Sequence, residues 1–180
     1  MNIFENTSFA NFNVSPLGVH NTSLQLALNS ARNLVNTCQG WLCIYGPPGT
    51  GKTHLCYAVR NELRGSRQAV NLIALYDLRD WLNQRSSNRD RKIEAFLQVE
   101  TLIVDSVEML HIPTEEIAAE AMAQFVAILN KRATNGLATM LALWDSPTAV
   151  LPEVSFLHSD VCTIIRLDSI DYRQIPTDLR

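Results

Sequence analysis

A chain of 180 residues is near the size of one domain, and with 47% hydrophobic and 18% charged residues it has enough apolar surface to offset the entropy of ordering. That balance excludes an intrinsically disordered chain. The formal net charge of -3 gives no global field to attract nucleic acid, so any such contact has to come from a local patch or from an oligomer.

Along the chain, residues 1–20 read as an N-terminal arm and residues 21–180 as one core. Thr7 to Gly18 is rich in Asn, Ser, Pro and Gly but carries Phe9 and Phe12, which suggests an extended arm pinned by two aromatics. From Asn21 to Thr37 the residues Leu24, Ala27, Leu28, Ala31, Leu34 and Val35 fall at helical spacing, with Asn21 or Thr22 as N-cap. Trp41 to Tyr45 is a short apolar strand, followed by a glycine-rich loop and a helix from Lys52 to about Arg64. Ala69 to Leu75 reads as a second strand, and Asp77 caps a helix through Leu82. A polar stretch then leads to a helix from Arg91 to Gln98. Thr101 to Asp105 is a third strand, and Thr114 opens a long helix to about Ala133, stopped by Asn135-Gly136. Leu137 to Trp144 and Val161 to Leu167 complete five strands. Strands alternating with helices imply an α/β fold of three layers, a parallel sheet covered on both faces.

The cysteines Cys38, Cys43, Cys56 and Cys162 form no Cys-x-x-Cys pair and have no histidine at zinc-like spacing, so they read as buried, reduced thiols. Cys43 and Cys162 lie in apolar runs that look like buried strands. No segment approaches the roughly 18 apolar residues that span a bilayer, and no basic region precedes an apolar stretch at the N-terminus. The expectation is a soluble, cytoplasmic protein without a membrane partner.

The chemistry concentrates in Gly46-Pro47-Pro48-Gly49-Thr50-Gly51-Lys52-Thr53, which meets the spacing Gly-x-x-x-x-Gly-Lys-Thr between a strand and a helix. Such a loop turns backbone N–H groups inward around phosphate oxygens, which requires residues without a Cβ at the tight positions. The following helix points its N-terminus at the same anion. Lys52 is expected to bridge the β and γ phosphates, and the Thr53 hydroxyl to bind magnesium. The expected cofactors are therefore ATP or ADP with Mg2+. Asp105, closing the strand Leu102-Ile103-Val104, has the place of the second magnesium-holding group. The next residue is Ser106, where many ATPases of this architecture carry a second acid, so slow turnover is expected. Glu108, two residues further on, is a candidate to substitute in part for that acid, set against the more common reading of a solvated loop residue.

The segments GPPGTGKTHL (Gly46 to Leu55) and LIVDSVEML (Leu102 to Leu110) resemble the AAA+ ATPases of the bacterial DnaA, Hda, DnaC and IstB group. Phe9, Phe12 and Asn21 look like that family's entry segment, Leu75 to Gln98 like its paired helices, and Ala142 to Pro147 like its sensor-1 strand end. The resemblance covers nearly the whole chain, although only the phosphate loop is specific by itself. It implies a P-loop core with a five-stranded sheet of order 5-1-4-3-2 and ATP-dependent self-assembly. It also implies work at replication origins, in helicase loading or in transposition, through a replicative helicase or an initiator AAA+ protein. The nucleotide-binding set it implies runs through His54, and Asp145 would be the sensor-1 residue, acting beside Asp105 near the γ phosphate.

Three departures shape that expectation. Ser106 replaces the second acid; His158-Ser159-Asp160, where the family places its arginine finger, has no arginine, and Arg166 and Arg173 nearby do not match the motif. The chain ends at Arg180, just after the fifth strand, so the family's helical lid with its sensor-2 arginine is expected to be missing. Together they suggest a protein that binds ATP more than it hydrolyses it. Arg79, Arg85, Arg89, Arg91 and Lys92 form a basic stretch able to grip single-stranded DNA phosphates, set against the more common reading of a solvated helix pair. Two other functions compete: a small-molecule P-loop kinase, against which no arginine-rich lid lies between the fourth and fifth strands, and a non-enzymatic module with a structural nucleotide.

Overall fold

The computed structural model of the chain describes residues 4–74, 87–105, 116–154, 157 and 160–175, with only the backbone at 87–89 and 116–121. The strands are β1 (Trp41–Tyr45), β2 (Val70–Ala74), β3 (Thr101–Asp105), β4 (Ala138–Leu143) and β5 (Cys162–Arg166). The helices are α1 (Thr22–Thr37), α2 (Lys52–Gly65), α3 (Ser87–Gln98), α4 (Glu116–Thr134) and a single turn, α5 (Pro147–Val150). All strand pairs are parallel, in the order β2-β3-β4-β1-β5. This is the 5-1-4-3-2 order that the resemblance implies.

The alternation of side chains along each strand divides the interior into two cores. Trp41 and Cys43 of β1, Leu102 and Val104 of β3, and Leu141 and Leu143 of β4 pack with Phe125, Ile128 and Leu129 of α4. On the other face Leu42, Ile44, Ile103, Met140 and Ala142 pack with Leu24, Leu28 and Leu34 of α1 and with Leu55, Val59 and Leu63 of α2. The central strands β1, β3 and β4 are buried on both faces, as near-continuous apolar runs of a covered parallel sheet should be.

The helix ends follow local chemistry. The Asn21 side chain accepts from the Leu24 amide at 3.0 Å, capping α1. Gly136, at φ +67, turns the chain out of α4. α3 begins four residues earlier than the apolar pattern predicts, because its first turn is polar; Asp90 there suits the positive end of the helix.

β5 differs from the sequence expectation of a buried strand. It is the sheet edge, with Val161 57% and Ile164 40% exposed, because only β1 covers its ladder. Cys162 is accordingly half-buried, as is Cys38 at the C-terminal end of α1, against the expectation of four buried thiols; Cys43 and Cys56 are buried, and all four thiols are free. The Cys43 thiol is pushed well up by its hydrogen bond to the Cys162 sulfur and by burial. None of the described helices is long and apolar enough to cross a membrane. The expected helix after Asp77, the side chains of Arg79, Arg85 and Arg89, and residues Ser106, Glu108, Thr114, His158 and Ser159 lie outside what is described.

The N-terminal arm is pinned as its two aromatics predict. Phe9 and Phe12 join the α1/α2 core. The Asn61 amide of α2 donates to the carbonyls of Phe4 and Thr7 at 3.0 and 2.8 Å, and Phe4 stacks on Tyr57 with ring centroids 4.1 Å apart.

Candidate nucleotide-binding site

β1 ends at Tyr45 in the middle of the sheet, and the chain turns through Gly46 to Gly51 before α2 starts at Lys52. Three glycines make that turn: Gly46, Gly49 and Gly51 have φ of +141, +78 and +96. Each is also closely approached. A Cβ on Gly46 would lie 2.4 Å from the Leu167 carbonyl oxygen, one on Gly49 1.7 Å from Asp171 Oδ1, and one on Gly51 2.8 Å from the Phe12 ring. Glycine is required here both by conformation and by space.

The loop is cross-braced. Thr50 Oγ1 donates to the Pro47 carbonyl at 2.9 Å, and Lys52 Nζ donates to the carbonyls of Gly46 and Pro47 at 2.7 and 2.9 Å. The lysine ammonium is thereby held over the loop at the N-terminal end of α2, where the helix dipole adds positive potential.

A cavity of about 730 Å³ opens beside the loop. Of the residues expected from sequence, Pro48, Gly49, Thr50, Gly51, Lys52, Thr53, His54 and Asp105 line it, while Gly46 and Pro47 brace the lysine from behind. Asp105, at the end of β3, is 7% exposed. Its charge reaches Cys56 on α2, whose thiol is pushed well up by burial and, to a smaller degree, by Asp105, with Lys52 opposing. Cys56 is therefore an inert core thiol beneath the site. The His54 ring sits against the arm, Nε2 being 3.1 Å from the Ser8 carbonyl oxygen and the ring centroid 5.3 Å from that of Phe12.

Asp145 is not among the residues lining the cavity; its carboxylate accepts from the amide of Ser146, at 2.6 Å, in the turn that leaves β4. Its neighbour Trp144 does line the cavity and is 52% exposed. Arg91 and Lys92 are exposed on α3 and lie outside the lining.

Sequence reasoning missed the remaining walls. Asn11, Phe12 and Asn13 of the arm form one, and Ser169, Ile170, Tyr172 and Arg173, after β5, form another. The Tyr172 amide donates to the Gly49 carbonyl at 3.0 Å. Arg173 pairs with Asp171 through Nε to Oδ1 at 2.9 Å and Nη2 to Oδ2 at 2.7 Å, which holds the Asp171 carboxyl below its usual range. The available signal was the crowding of three glycines into six residues: such a loop is packed closely against something, and the short polar run Asp171-Tyr172-Arg173 follows the strand β5 beside β1.

The residues at this site suit a polyphosphate. The glycines themselves carry no side chain over their amides, a buried carboxylate lines the same cavity from the end of β3, and a lysine and a threonine line it from the start of α2.

Comparison with known proteins agrees with this geometry. The family model described as "ATPase family associated with various cellular activities (AAA)" matches residues 42–159. The replicative helicase loader DnaC of Escherichia coli (strain K12) is 29% identical over 112 residues, 58% of this chain and 44% of the relative. The chain thus spans less than half the length of that curated relative. A solved structure of the replication initiator DnaA bound to AMPPCP and single-stranded DNA superposes with a TM-score of 0.73 at 20% identity, covering 90% of this chain and 50% of that one. The structure of a DnaC helicase loader gives 0.71 at 18% identity, covering 93% of this chain and all of the other.

Proposed function

Because the chain belongs to the AAA family of ATPases, we propose that it is an ATP-binding protein of DNA replication initiation, acting in helicase loading or its regulation, with weak or no hydrolysis of its own. The observation that carries this reading is the meeting of Lys52, Thr53 and the buried Asp105 around one cavity at the N-terminus of α2. Lys52 would hold the β and γ phosphates, and the backbone N–H groups of Gly49 to Thr53 would surround the β phosphate. Thr53 and Asp105 would hold magnesium, which supplies charge neutralisation along the phosphates when bound.

Hydrolysis needs a base to orient water and a cation for the developing charge. Ser106 follows Asp105 in sequence and cannot act as a carboxylate base, and Trp144 beside the cavity offers no acid either. Asp145, held in its own turn, would have to leave the Ser146 amide to act there. The role of nucleotide is therefore to set a conformation that a partner reads.

The relatives suggest the partners. A helicase loader and an initiator solved with single-stranded DNA are similar to this chain, so a replicative helicase or an initiator AAA+ protein is the proposed protein partner, with nucleotide-dependent self-association. Arg91 and Lys92 on α3, with Arg79, Arg85 and Arg89, are the proposed contacts to single-stranded DNA. Sedimentation with and without ATP and magnesium, repeated with single-stranded DNA and with a replicative helicase, tests this. Nucleotide-dependent co-sedimentation with the helicase supports it, and indifference to nucleotide with every partner contradicts it.

A further inference from the structure

The wall formed after β5 carries a cation that the reading above leaves without a role. Arg173 is 68% exposed, yet it lines the cavity together with Lys52 and Thr53. Its main chain is not free to wander, because the adjacent Tyr172 amide is bonded to the Gly49 carbonyl at 3.0 Å. Leu167, at the start of the same segment, abuts Gly46 so closely that a Cβ there would be 2.4 Å from its carbonyl oxygen. The segment and the phosphate loop therefore form one packed unit, from which the exposed Arg173 side chain reaches the cavity.

What holds that side chain is a carboxylate in an electrostatically awkward place. Asp171 Oδ1 lies where a Cβ on Gly49 would come within 1.7 Å, so a negative charge rests against the loop built to attract anions. Arg173 neutralises it with a two-point fork, Nε to Oδ1 and Nη2 to Oδ2, and with its own amide to Oδ1 at 3.0 Å. A guanidinium makes the same fork with a phosphate, which carries more charge than a carboxylate. An ion pair with one largely exposed partner is worth little, so exchanging one anion for the other costs little.

We propose that Arg173 is a phosphate-binding residue of this site, held ready by Asp171 and passed from that carboxylate to the phosphates of a bound nucleotide. The inference rests on the nucleotide-binding reading and adds to Lys52 a second cation, from the segment after β5. It also gives Asp171 a purpose: it keeps Arg173 aimed at the loop.

The test is a double-mutant cycle on the whole chain, measuring the dissociation constants of ADP and ATP with magnesium for the unmodified protein, Arg173→Ala, Asp171→Asn and the double variant. Thermal midpoints without nucleotide check folding, and Arg173→Gln replaces Arg173→Ala if that variant is unstable. Losing a charge-assisted fork weakens binding by about tenfold to a hundredfold. The double variant should stay weaker than Asp171→Asn alone by at least about fivefold, because the phosphate contact is gone in it too. If the double variant binds as Asp171→Asn does, Arg173 only neutralises Asp171 and the inference is wrong. If the unmodified protein binds neither nucleotide, the nucleotide reading fails first and takes this inference with it.

Discussion

The amide of Tyr172 and the carbonyl of Gly49 are 3.0 Å apart, and that bond fastens the chain beyond β5 to the middle of the phosphate loop. Gly49 has no room for a side chain because Asp171, one residue before Tyr172, sits against it. Gly49→Ala should therefore lower stability by about 2 kcal/mol or more, since left-handed strain and a clash add, and should abolish nucleotide binding. Gly136 has φ +67 but nothing within 4 Å of its would-be Cβ. Gly136→Ala should cost only about 1 kcal/mol of strain and leave binding intact. Urea unfolding with a parallel ADP titration measures both.

Phe12 links the arm to the same loop. Its ring is buried in the α1/α2 core and passes 2.8 Å from the Cβ position of Gly51. Phe12→Ala should cost about 3 kcal/mol of stability, as large core truncations do, and should weaken ADP binding as well. A stability loss with an unchanged dissociation constant would show that the arm supports the fold without shaping the site.

Arg132 is fully buried on α4, and its acceptors among the described residues are a hydroxyl and backbone carbonyls. Nε donates to Thr139 Oγ1 at 3.0 Å, Nη1 to the carbonyls of Phe96 and Val99, and Nη2 to those of Ala138 and Glu100. Burial lowers its pKa to about 10. These carbonyls belong to the last turn of α3, the connection from α3 to β3 and the start of β4, so one side chain on α4 ties these segments together. Arg132→Ala strands several buried acceptors and should cost about 3 to 5 kcal/mol, and Arg132→Lys should recover only part of it, because three donors cannot replace the fork. Thermal and urea denaturation read the difference.

Thr101 opens β3 at 1% exposure, and its hydroxyl has no hydrogen-bond partner among the described residues. Thr101→Val keeps the shape and the β-branching while removing the unpaired hydroxyl. It should stabilise the protein by about 1 kcal/mol. A loss of stability in urea would mean that the hydroxyl is satisfied.

Much of this architecture was legible in the sequence, for identifiable reasons. The apolar runs at Trp41–Tyr45, Thr101–Asp105 and Ala138–Leu143 become central strands because strands buried on both faces carry few polar residues. The Gly-rich spacing revealed the loop because that chemistry constrains consecutive residues. What the sequence did not disclose depends on contacts between distant segments. Nothing local to Val161–Leu167 marks it as a sheet edge, since edge or centre depends on strand order. The Asp171–Arg173 pair and the Phe12 ring meet the loop only through the fold, and the orientation of Trp144 against Asp145 turns on one residue of strand register. The start of α3 was missed because a polar first helical turn has no apolar period to read.

The central claim is that this loop binds a nucleoside triphosphate, and thermal unfolding with and without ATP and magnesium tests it most directly, on the unmodified chain and on Lys52→Ala. A ligand at a hundred times its dissociation constant stabilises a protein by about 2.7 kcal/mol, which at this size raises the midpoint by several degrees. The account predicts that rise for the unmodified protein and its disappearance in Lys52→Ala, whose midpoint without nucleotide stays close to that of the parent. An equal rise in both proteins, or none in either, would contradict it.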